Sequence, residues 1–216
     1  MHNITLISTN HKESGKCNSD ELYKIIESIN PEVIFEELPS ERFDDYYNGI
    51  LTYESLEVKC IKKYLQNYRI KHLPVDIANP NRSSIEILMF EKFERDAEYI
   101  KLKSEHNLLK SHKGFGYLNS DKSIDLVKKW TLVEKRILES ATNKDMFLHT
   151  YELFFEDVYN RENAMLQNIY NYSKENEYNQ AVFLLGCGHR KSIIEKIIEC
   201  EKKSEIKLNW TIFGNE

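Results

Sequence analysis

The chain has 216 residues, of which 41% are hydrophobic and 30% are charged, a balance typical of a globular protein with a hydrophobic core. Its net charge of −5 at pH 7 argues against a protein that binds nucleic acid by neutralising phosphates. No apolar run approaches the roughly 18 residues that cross a bilayer, no secretory signal opens the chain, and the four cysteines form no CxxC pair. We therefore expect one cytoplasmic domain over residues 1–216, with reduced thiols and no nucleic-acid or membrane partner.

Short apolar segments in the first and last parts of the chain are predicted strands. They are apolar on both faces, as in the strands of a parallel sheet that is covered by helices. A helix with Asn18 or Ser19 as its N-cap separates the first two strands, and a second helix over 54–68 precedes the third. The order predicts an α/β fold with a mostly parallel central sheet flanked by helices. The predicted strands are 3–8, 32–38, 70–76, 180–186 and 206–213.

The middle of the chain has a different pattern. Between about residues 84 and 176 there is no convincing strand, only long charged amphipathic stretches that are interrupted at 111–123 and 142–145. This pattern predicts a helical insertion of about three helices between strands three and four. The chain then returns to the sheet at residue 180.

Histidines and carboxylates follow the ends of four predicted strands. The first strand leads to His11, the second ends in Glu36 and Glu37, the third ends at Asp76, and the fourth leads to His189. In open α/β sheets, ligands bind beyond the carboxyl ends of the strands. If the sheet is parallel, these side chains lie at one edge and form a candidate site.

The two adjacent glutamates need partners if the sheet is covered. Glu36 and Glu37 point to opposite faces of their strand, so at least one carboxylate faces a covered side and needs a donor, a cation or a metal. Arg42, five residues after Glu37, is a candidate partner in a salt bridge. Asp76 either caps the turn that follows it or belongs to the site.

The fourth strand ends in the sequence LLGCGHRKS. Gly186 and Gly188 are expected to allow a sharp turn with unusual backbone angles, which leaves His189 at the N-terminus of a helix. The spacings of the P-loop and of the G-x-G-x-x-G motif are absent, so a nucleotide site is not indicated. Cys187 is interpreted as a small buried thiol.

A second anomaly lies on the helix that contains NRENAM. Glu162 falls on the apolar stripe of this helix, and Arg161 lies beside it. An acid on a core-facing stripe needs a partner, and the candidates are the histidines at the strand ends or a metal. The remaining histidines have no spacing typical of metal ligands and are expected on the surface or in loops: His2, His72, His106, His112 and His149.

Four segments, taken in chain order, resemble the TraB/PrgY–Tiki superfamily, which is related to ChaN-like and erythromycin esterase-like proteins. The family pattern is a G-x-x-H corner, a Pro-Asp-hydrophobic-Glu-Leu-x-x-x-Arg block, an Arg-Asp/Glu-x-x-Met helix and a second G-x-x-H corner. Here Ser8 replaces the first glycine and Glu32 replaces the aspartate. The matching segments are STNH (8–11), PEVIFEELPSER (31–42), NRENAM (160–165) and LLGCGHRKSI (184–193).

The resemblance implies a metal-dependent hydrolase that acts on a peptide or on a small-molecule ester or amide. Tiki proteins are similar to metalloproteases that depend on manganese or cobalt, so a divalent ion is expected here, with Mn first and Co or Zn next. His11 and His189 would bind the metal, and Glu36 is a further candidate ligand. Glu37 and Glu162 would divide the roles of carboxylate ligand and general base. Arg42 and Arg161 would support them.

Two alternatives stay open on the sequence alone. One is a metal-free, esterase-like hydrolase in which a histidine activates water and a glutamate orients it. The other is a protein without enzymatic activity that binds haem, another ligand or a peptide. Histidine and glutamate at one edge of a sheet suit all three functions, and a homo-oligomer is compatible with each of them.

Overall fold

The computed structural model describes residues 2–50, 54–78 and 82–214 and is built around a five-stranded sheet in which every pairing is parallel. The strands are β1 (His2–Thr9), β2 (Val33–Pro39), β3 (Lys71–Asp76), β4 (Gln180–Gly186) and β5 (Leu208–Ile212). The five predicted strands are confirmed to within two residues at each end. The sheet has the order β3-β2-β4-β1-β5 and is flanked by helices, which confirms the predicted α/β fold.

The helices of the first part of the chain are α1 (Ser19–Ile29), α2 (Phe43–Tyr47) and α3 (Leu56–Leu65). The N-cap of α1 is Asn18, one of the two residues expected there, and its side-chain oxygen accepts a hydrogen bond from the backbone N–H of Glu21 at 2.9 Å. The helix ends at Asn30, which adopts the left-handed conformation with φ 53°. A single 3₁₀ turn over Ser40–Arg42 separates β2 from α2.

The insertion between β3 and β4 is helical, as predicted, but it contains more helices than the three or so expected. A break at Asp96, the N-cap of α5, divides the first amphipathic stretch, and a one-turn helix lies inside the predicted interruption at 111–123. Gly114 separates these elements with φ 58°, where an added Cβ would lie 2.7 Å from the carbonyl oxygen of Lys16. The elements are α4 (Ser84–Phe93), α5 (Ala97–Lys113), α6 (Phe115–Leu118), α7 (Asp121–Glu139) and α8 (Lys144–Glu175).

Both faces of the sheet are covered because successive strand residues point to opposite sides. In β1, Leu6 packs on the side of α8 and of α9 (Arg190–Lys203), whereas Ile7 packs on the side of α1 and α3. The insertion adds an apolar cluster of its own, which includes Phe93, Val133 and Phe147. No helix in the described ranges is both long and apolar enough to cross a membrane.

The strand order determines where the candidate site residues meet. Strand β4 lies between β1 and β2, with Gly186 opposite Thr9 and Leu184 opposite Glu36. The carboxyl ends of three parallel strands are therefore neighbours. The segments that follow them carry the two corner histidines, and β2 itself ends in the glutamate pair.

Candidate active site

The corner after β4 presents His189 at the start of α9. The backbone N–H of His189 donates to the carbonyl oxygen of Gly186 at 3.0 Å, and the helix begins at the next residue, as expected. The prediction of unusual backbone angles at this turn is wrong, since neither Gly186 nor Gly188 has a positive φ. The absence of a side chain at Gly186 leaves room for the Glu37 carboxylate, because an added Cβ would lie 3.1 Å from its Oε2 atom. An added Cβ at Gly188 would meet nothing within 4 Å.

The imidazole of His189 lies between two carboxylates. Its Nδ1 atom is 2.8 Å from Oε1 of Glu162, and its Nε2 atom is 3.3 Å from Oε1 of Glu37. The side chain of Glu162 is only 2% exposed, so the partner predicted for this acid on an apolar stripe is a strand-end histidine. Ser192 donates its hydroxyl to Oε2 of Glu162 at 2.5 Å, and Lys196 lies 3.4 Å from the same oxygen.

The Glu37 carboxylate contacts residues of α8, of the end of β4 and, through His189, of the start of α9. The Nη2 atom of Arg161 donates to Oε1 at 3.2 Å, and the backbone N–H of Gly186 donates to Oε2 at 2.6 Å. The prediction of a salt bridge between Arg42 and Glu37 is wrong, because Arg42 lies in the turn beyond β2 and contacts Asp45 at 3.4 Å. Arg161 takes that place because α8 crosses the sheet on the side to which Glu37 points.

Asp76 at the end of β3 has both of the roles that the sequence allowed for its position. Its Oδ1 atom accepts a hydrogen bond from the backbone N–H of Ile77 at 2.8 Å, although residues 79–81 of the expected turn lie outside the described ranges. Its carboxylate also forms an ion pair with Arg161, whose Nε atom lies 3.2 Å from both oxygens. Asp76 is thereby joined to Glu37 through one guanidinium.

His11 forms the open side of the site. Its Nδ1 atom lies 3.4 Å from Oε1 of Glu57, and 59% of its side chain is exposed. Glu57 also accepts the hydroxyl of Thr9 at 2.6 Å. Glu57 was not among the residues predicted from the sequence. Its pattern is nevertheless that of Glu162, because it is an acid on the buried stripe of a helix, three and four residues before Cys60 and Ile61.

Glu36 does not join the corner histidines as expected. It points to the opposite face of β2, where its carboxylate accepts the hydroxyl of Tyr47 at 2.5 Å and lies 2.8 Å from Nδ1 of His72. His72 is therefore part of a buried contact, and the expectation of a surface position is wrong for it. The same expectation is wrong for His106, which is 5% exposed in α5.

A buried network ties the two corners together. Arg190, which is 1% exposed, donates from Nη1 to the Ser8 hydroxyl at 3.2 Å and to Oδ1 of Asn119 at 2.9 Å. That Asn119 oxygen also accepts the backbone N–H of Ser8 at 2.7 Å. The insertion thus contributes one side chain that fixes the end of β1 and the first residue of α9. No periodicity in the sequence relates positions so far apart.

We call His11, Glu37, Glu162 and His189 the His–Glu cluster. Burial alone would raise the pKa of Glu37, but the hydrogen bond and charge of His189, together with the charge of His11, lower it to about 2. Burial would lower the pKa of His189, and the Glu162 and Glu37 carboxylates raise it to about 9. The hydrogen bond to Glu57 raises the pKa of His11 to about 9, against the effect of burial. Both imidazoles are therefore in the cationic imidazolium form at neutral pH.

A cleft of about 400 Å³ opens over the cluster. Two members of the cluster, His11 and Glu37, line it together with Asp76 and Arg161. The other lining residues come from the end of β2 and the turn after it, from the N-cap of α3 and from the segment after β3. They are Leu38, Pro39, Arg42, Tyr46, Ser55, Ile77 and Ala78.

The fit of a metal to this site is mixed. The donor types suit a divalent transition metal, and the Nδ1 atom of each corner histidine lies against a carboxylate, as is usual for ligating histidines. The spacing does not suit one. Within the ranges that the structure describes, no three or more His, Cys, Asp or Glu side chains are grouped so that they could hold an ion.

Comparison with known proteins adds no relative. No family model, no curated protein and no solved structure matches this chain. The resemblance to the TraB/PrgY–Tiki superfamily therefore rests on the order of four short motifs. Each of these motifs contributes a side chain to the His–Glu cluster.

Proposed function

We propose that the chain is a hydrolase of peptide, amide or ester bonds and that the His–Glu cluster is its active site. The observation that carries this proposal is the position of His189 between Glu162 at Nδ1 and Glu37 at Nε2. A carboxylate on one ring nitrogen orients an imidazole and stabilises its protonated form, so that the other nitrogen can accept a proton. The resemblance to a family with hydrolytic members supports the same function.

The proposed reaction begins with a water molecule next to Glu37 and Nε2 of His189. At alkaline pH, where His189 is neutral, its imidazole takes a proton from this water, and the oxygen attacks the carbonyl carbon of the substrate. Glu162 stabilises the imidazolium that forms, while Arg161 and the Gly186 N–H keep the Glu37 carboxylate in place. Glu37 is held as an anion and orients the water rather than taking its proton.

His11 is the group that faces the substrate. Its side chain is the exposed member of the pair of histidines, and it lines the cleft. As an imidazolium it donates a hydrogen bond to the carbonyl oxygen as negative charge develops there, and then a proton to the leaving amine or alkoxide. Water is consumed, the carbonyl–heteroatom bond is broken, and proton exchange with solvent returns His189 to its neutral form and His11 to the imidazolium.

A metal-dependent form of the same hydrolase is the second candidate. It is favoured by the contact of each corner histidine, through Nδ1, with a buried carboxylate, Glu57 or Glu162. The resemblance assigns His11, His189 and Glu37 to the ion, with Mn, Co or Zn as the candidates, and these side chains would have to lie closer together than they do in this structure. When bound, such an ion lowers the pKa of water and polarises a carbonyl group.

The test combines metal analysis with hydrolysis assays. Purified protein is analysed for metals and then assayed against peptide libraries and 4-nitrophenyl esters, with and without EDTA. The variants are His189→Ala and His11→Ala, and the matched control is His149→Ala, which changes an exposed histidine on α8. We expect hydrolysis that survives EDTA and is lost in the first two variants only.

Each other outcome has a defined meaning. Stoichiometric metal that disappears in His11→Ala/His189→Ala, with activity abolished by EDTA, selects the metal-dependent form. Hydrolysis that is equal in all variants removes the cluster from the reaction. No hydrolysis of any substrate, with saturable binding of haem or of a peptide that needs the same histidines, replaces the hydrolase with a binding protein.

A further inference from the structure

The accessible charge in the cleft has the opposite sign to the charge of the chain as a whole. The net charge of the protein is −5, and two carboxylates, Glu37 and Asp76, line the cleft. The carboxylates of Glu37 and Asp76 are only 8% and 3% exposed, and both contact Arg161. Their negative charge is therefore compensated by the Arg161 guanidinium.

Arg42 is the exposed cation on the cleft wall. Its side chain is 56% exposed, and the carboxylate that it contacts, Asp45, lies 3.4 Å from Nε. Exposed ion pairs of this kind are weak, so the guanidinium can exchange this contact for another carboxylate at little cost.

The shape of the cleft limits what such a substrate group can be. Leu38, Pro39 and Ile77 contribute apolar side chains to the same cleft as Arg42, and the volume of about 400 Å³ admits a small group rather than a folded chain. A guanidinium presents parallel N–H donors that match a planar carboxylate. A substrate suits this cleft if its carboxylate binds Arg42 and a short apolar side chain of the substrate lies between that carboxylate and the reacting carbonyl.

We propose that Arg42 is the specificity-determining residue of the site and that it binds a carboxylate of the substrate, next to the bond that is cleaved. This inference rests on the proposed function and names its substrate class. Among peptides, the group that meets the description is the free C-terminal carboxylate. The enzyme then removes a C-terminal residue from a short peptide.

The experiment uses pairs of N-acetylated di- and tripeptides that differ only in a C-terminal carboxylate or carboxamide. Hydrolysis is followed by mass spectrometry, and binding of the same peptides by NMR titration. The proteins are the wild type, Arg42→Gln, Arg42→Lys and the control Arg95→Gln, which removes an exposed arginine that contacts Glu91 on α4. The paired peptides separate the effect of the carboxylate from any general effect of the substitution on folding.

We expect the wild type and Arg95→Gln to prefer the carboxylate peptides by at least about tenfold in kcat/KM, mainly through KM. Arg42→Gln loses this preference because its kcat/KM falls more on the carboxylate peptides than on the amidated ones, and Arg42→Lys keeps part of the preference because the charge remains without the two parallel N–H donors. Equal hydrolysis of both peptide sets by the wild type, or equal losses on both sets in Arg42→Gln, overturns the inference and leaves the proposed function standing. Binding of carboxylate peptides that needs Arg42 but leads to no hydrolysis overturns the proposed function alone. No hydrolysis and no binding of either peptide set overturns both.

Discussion

The Nδ1 atom of His189 lies 2.8 Å from Oε1 of Glu162, a carboxylate that a helix of the insertion places under the corner after β4. Replacing Glu162 with Gln keeps the shape and removes the charge that stabilises the imidazolium. We expect the pKa of His189 to fall from about 9 and kcat to drop about ten- to a hundredfold. NMR titration of the imidazole and steady-state kinetics measure the two effects. Glu156→Gln, on an exposed part of the same helix, is the control, and an unchanged His189 pKa in Glu162→Gln would contradict the assignment.

Two glycines of one turn are expected to respond differently to alanine. A Cβ at Gly186 would lie 3.1 Å from Oε2 of Glu37, so Glu37 has to move, while a Cβ at Gly188 enters open space. We expect Gly186→Ala to lose at least about tenfold in kcat/KM, since a small misplacement of a reacting group is costly, and Gly188→Ala to behave as the wild type. Kinetics and thermal unfolding of both variants test this. Equal activity in the two variants would show that the position of Glu37 is unimportant.

The rate of hydrolysis is expected to have a maximum near pH 9. The proposed reaction needs neutral His189 and protonated His11, and both pKa values are raised to about 9. The rate falls on the acid side because His189 takes up a proton, and on the alkaline side because His11 loses one. A profile of kcat/KM against pH measures both limbs. A maximum near pH 6.5, where free histidine titrates, would contradict the charge environment described for the cluster.

Removal of Arg161 is expected to destabilise the fold as well as the site. Arg161→Met leaves Glu37 and Asp76 as buried carboxylates without their cation, and such a loss costs about 3 kcal/mol in unfolding free energy. Arg136, which contacts Asp96 and Glu98 on the surface, is the matched control, and its Met variant is expected to unfold almost as the wild type does. Urea denaturation measures both. Similar losses in the two variants would rule out the buried ion pairs as the cause.

His106 is expected to make the stability of the protein depend on pH in the acid range. Burial, with the charges of Lys110 and Lys103, lowers the pKa of His106 to about 4. Between the usual value near 6.5 and this value the unfolded chain binds a proton that the folded chain does not, so stability decreases as the pH falls. We expect the His106 contribution to be about 2 kcal/mol smaller at pH 5 than at pH 7.5. In His106→Asn this part of the decrease should vanish, and urea titrations at the two pH values would detect it.

The parts of the fold that follow from local patterns were predictable from the sequence. Strands that are apolar on both faces, the Asn18 cap and the interruption near Gly114 are all properties of neighbouring residues. The position of β4 between β1 and β2 is a long-range property, and no local signal contains it. The sequence could still predict that the strand-end residues meet, because in a parallel sheet they share one edge whatever the strand order.

The site was predictable where an acid breaks an apolar pattern. Glu162 was identified in this way, and Glu57 has the same signature on α3. The partner of Glu37 could not be identified similarly, because Arg42 and Arg161 have the same chemistry and only the path of α8 over the sheet separates them. Asn119 was unpredictable for a related reason, since its contacts with Ser8 and Arg190 depend on how the insertion closes onto the sheet.

Helix α8 has 32 residues and so extends about 48 Å at the usual rise per residue. Its first half packs into the apolar cluster of the insertion through Phe147 and Tyr151, and its second half brings Arg161 and Glu162 to the sheet. The helix thus carries the ion pairs of Arg161 and Glu162 near its middle. A tilt at the insertion end displaces both side chains at once, so the alignment of Glu37 and the basicity of His189 change together and not independently.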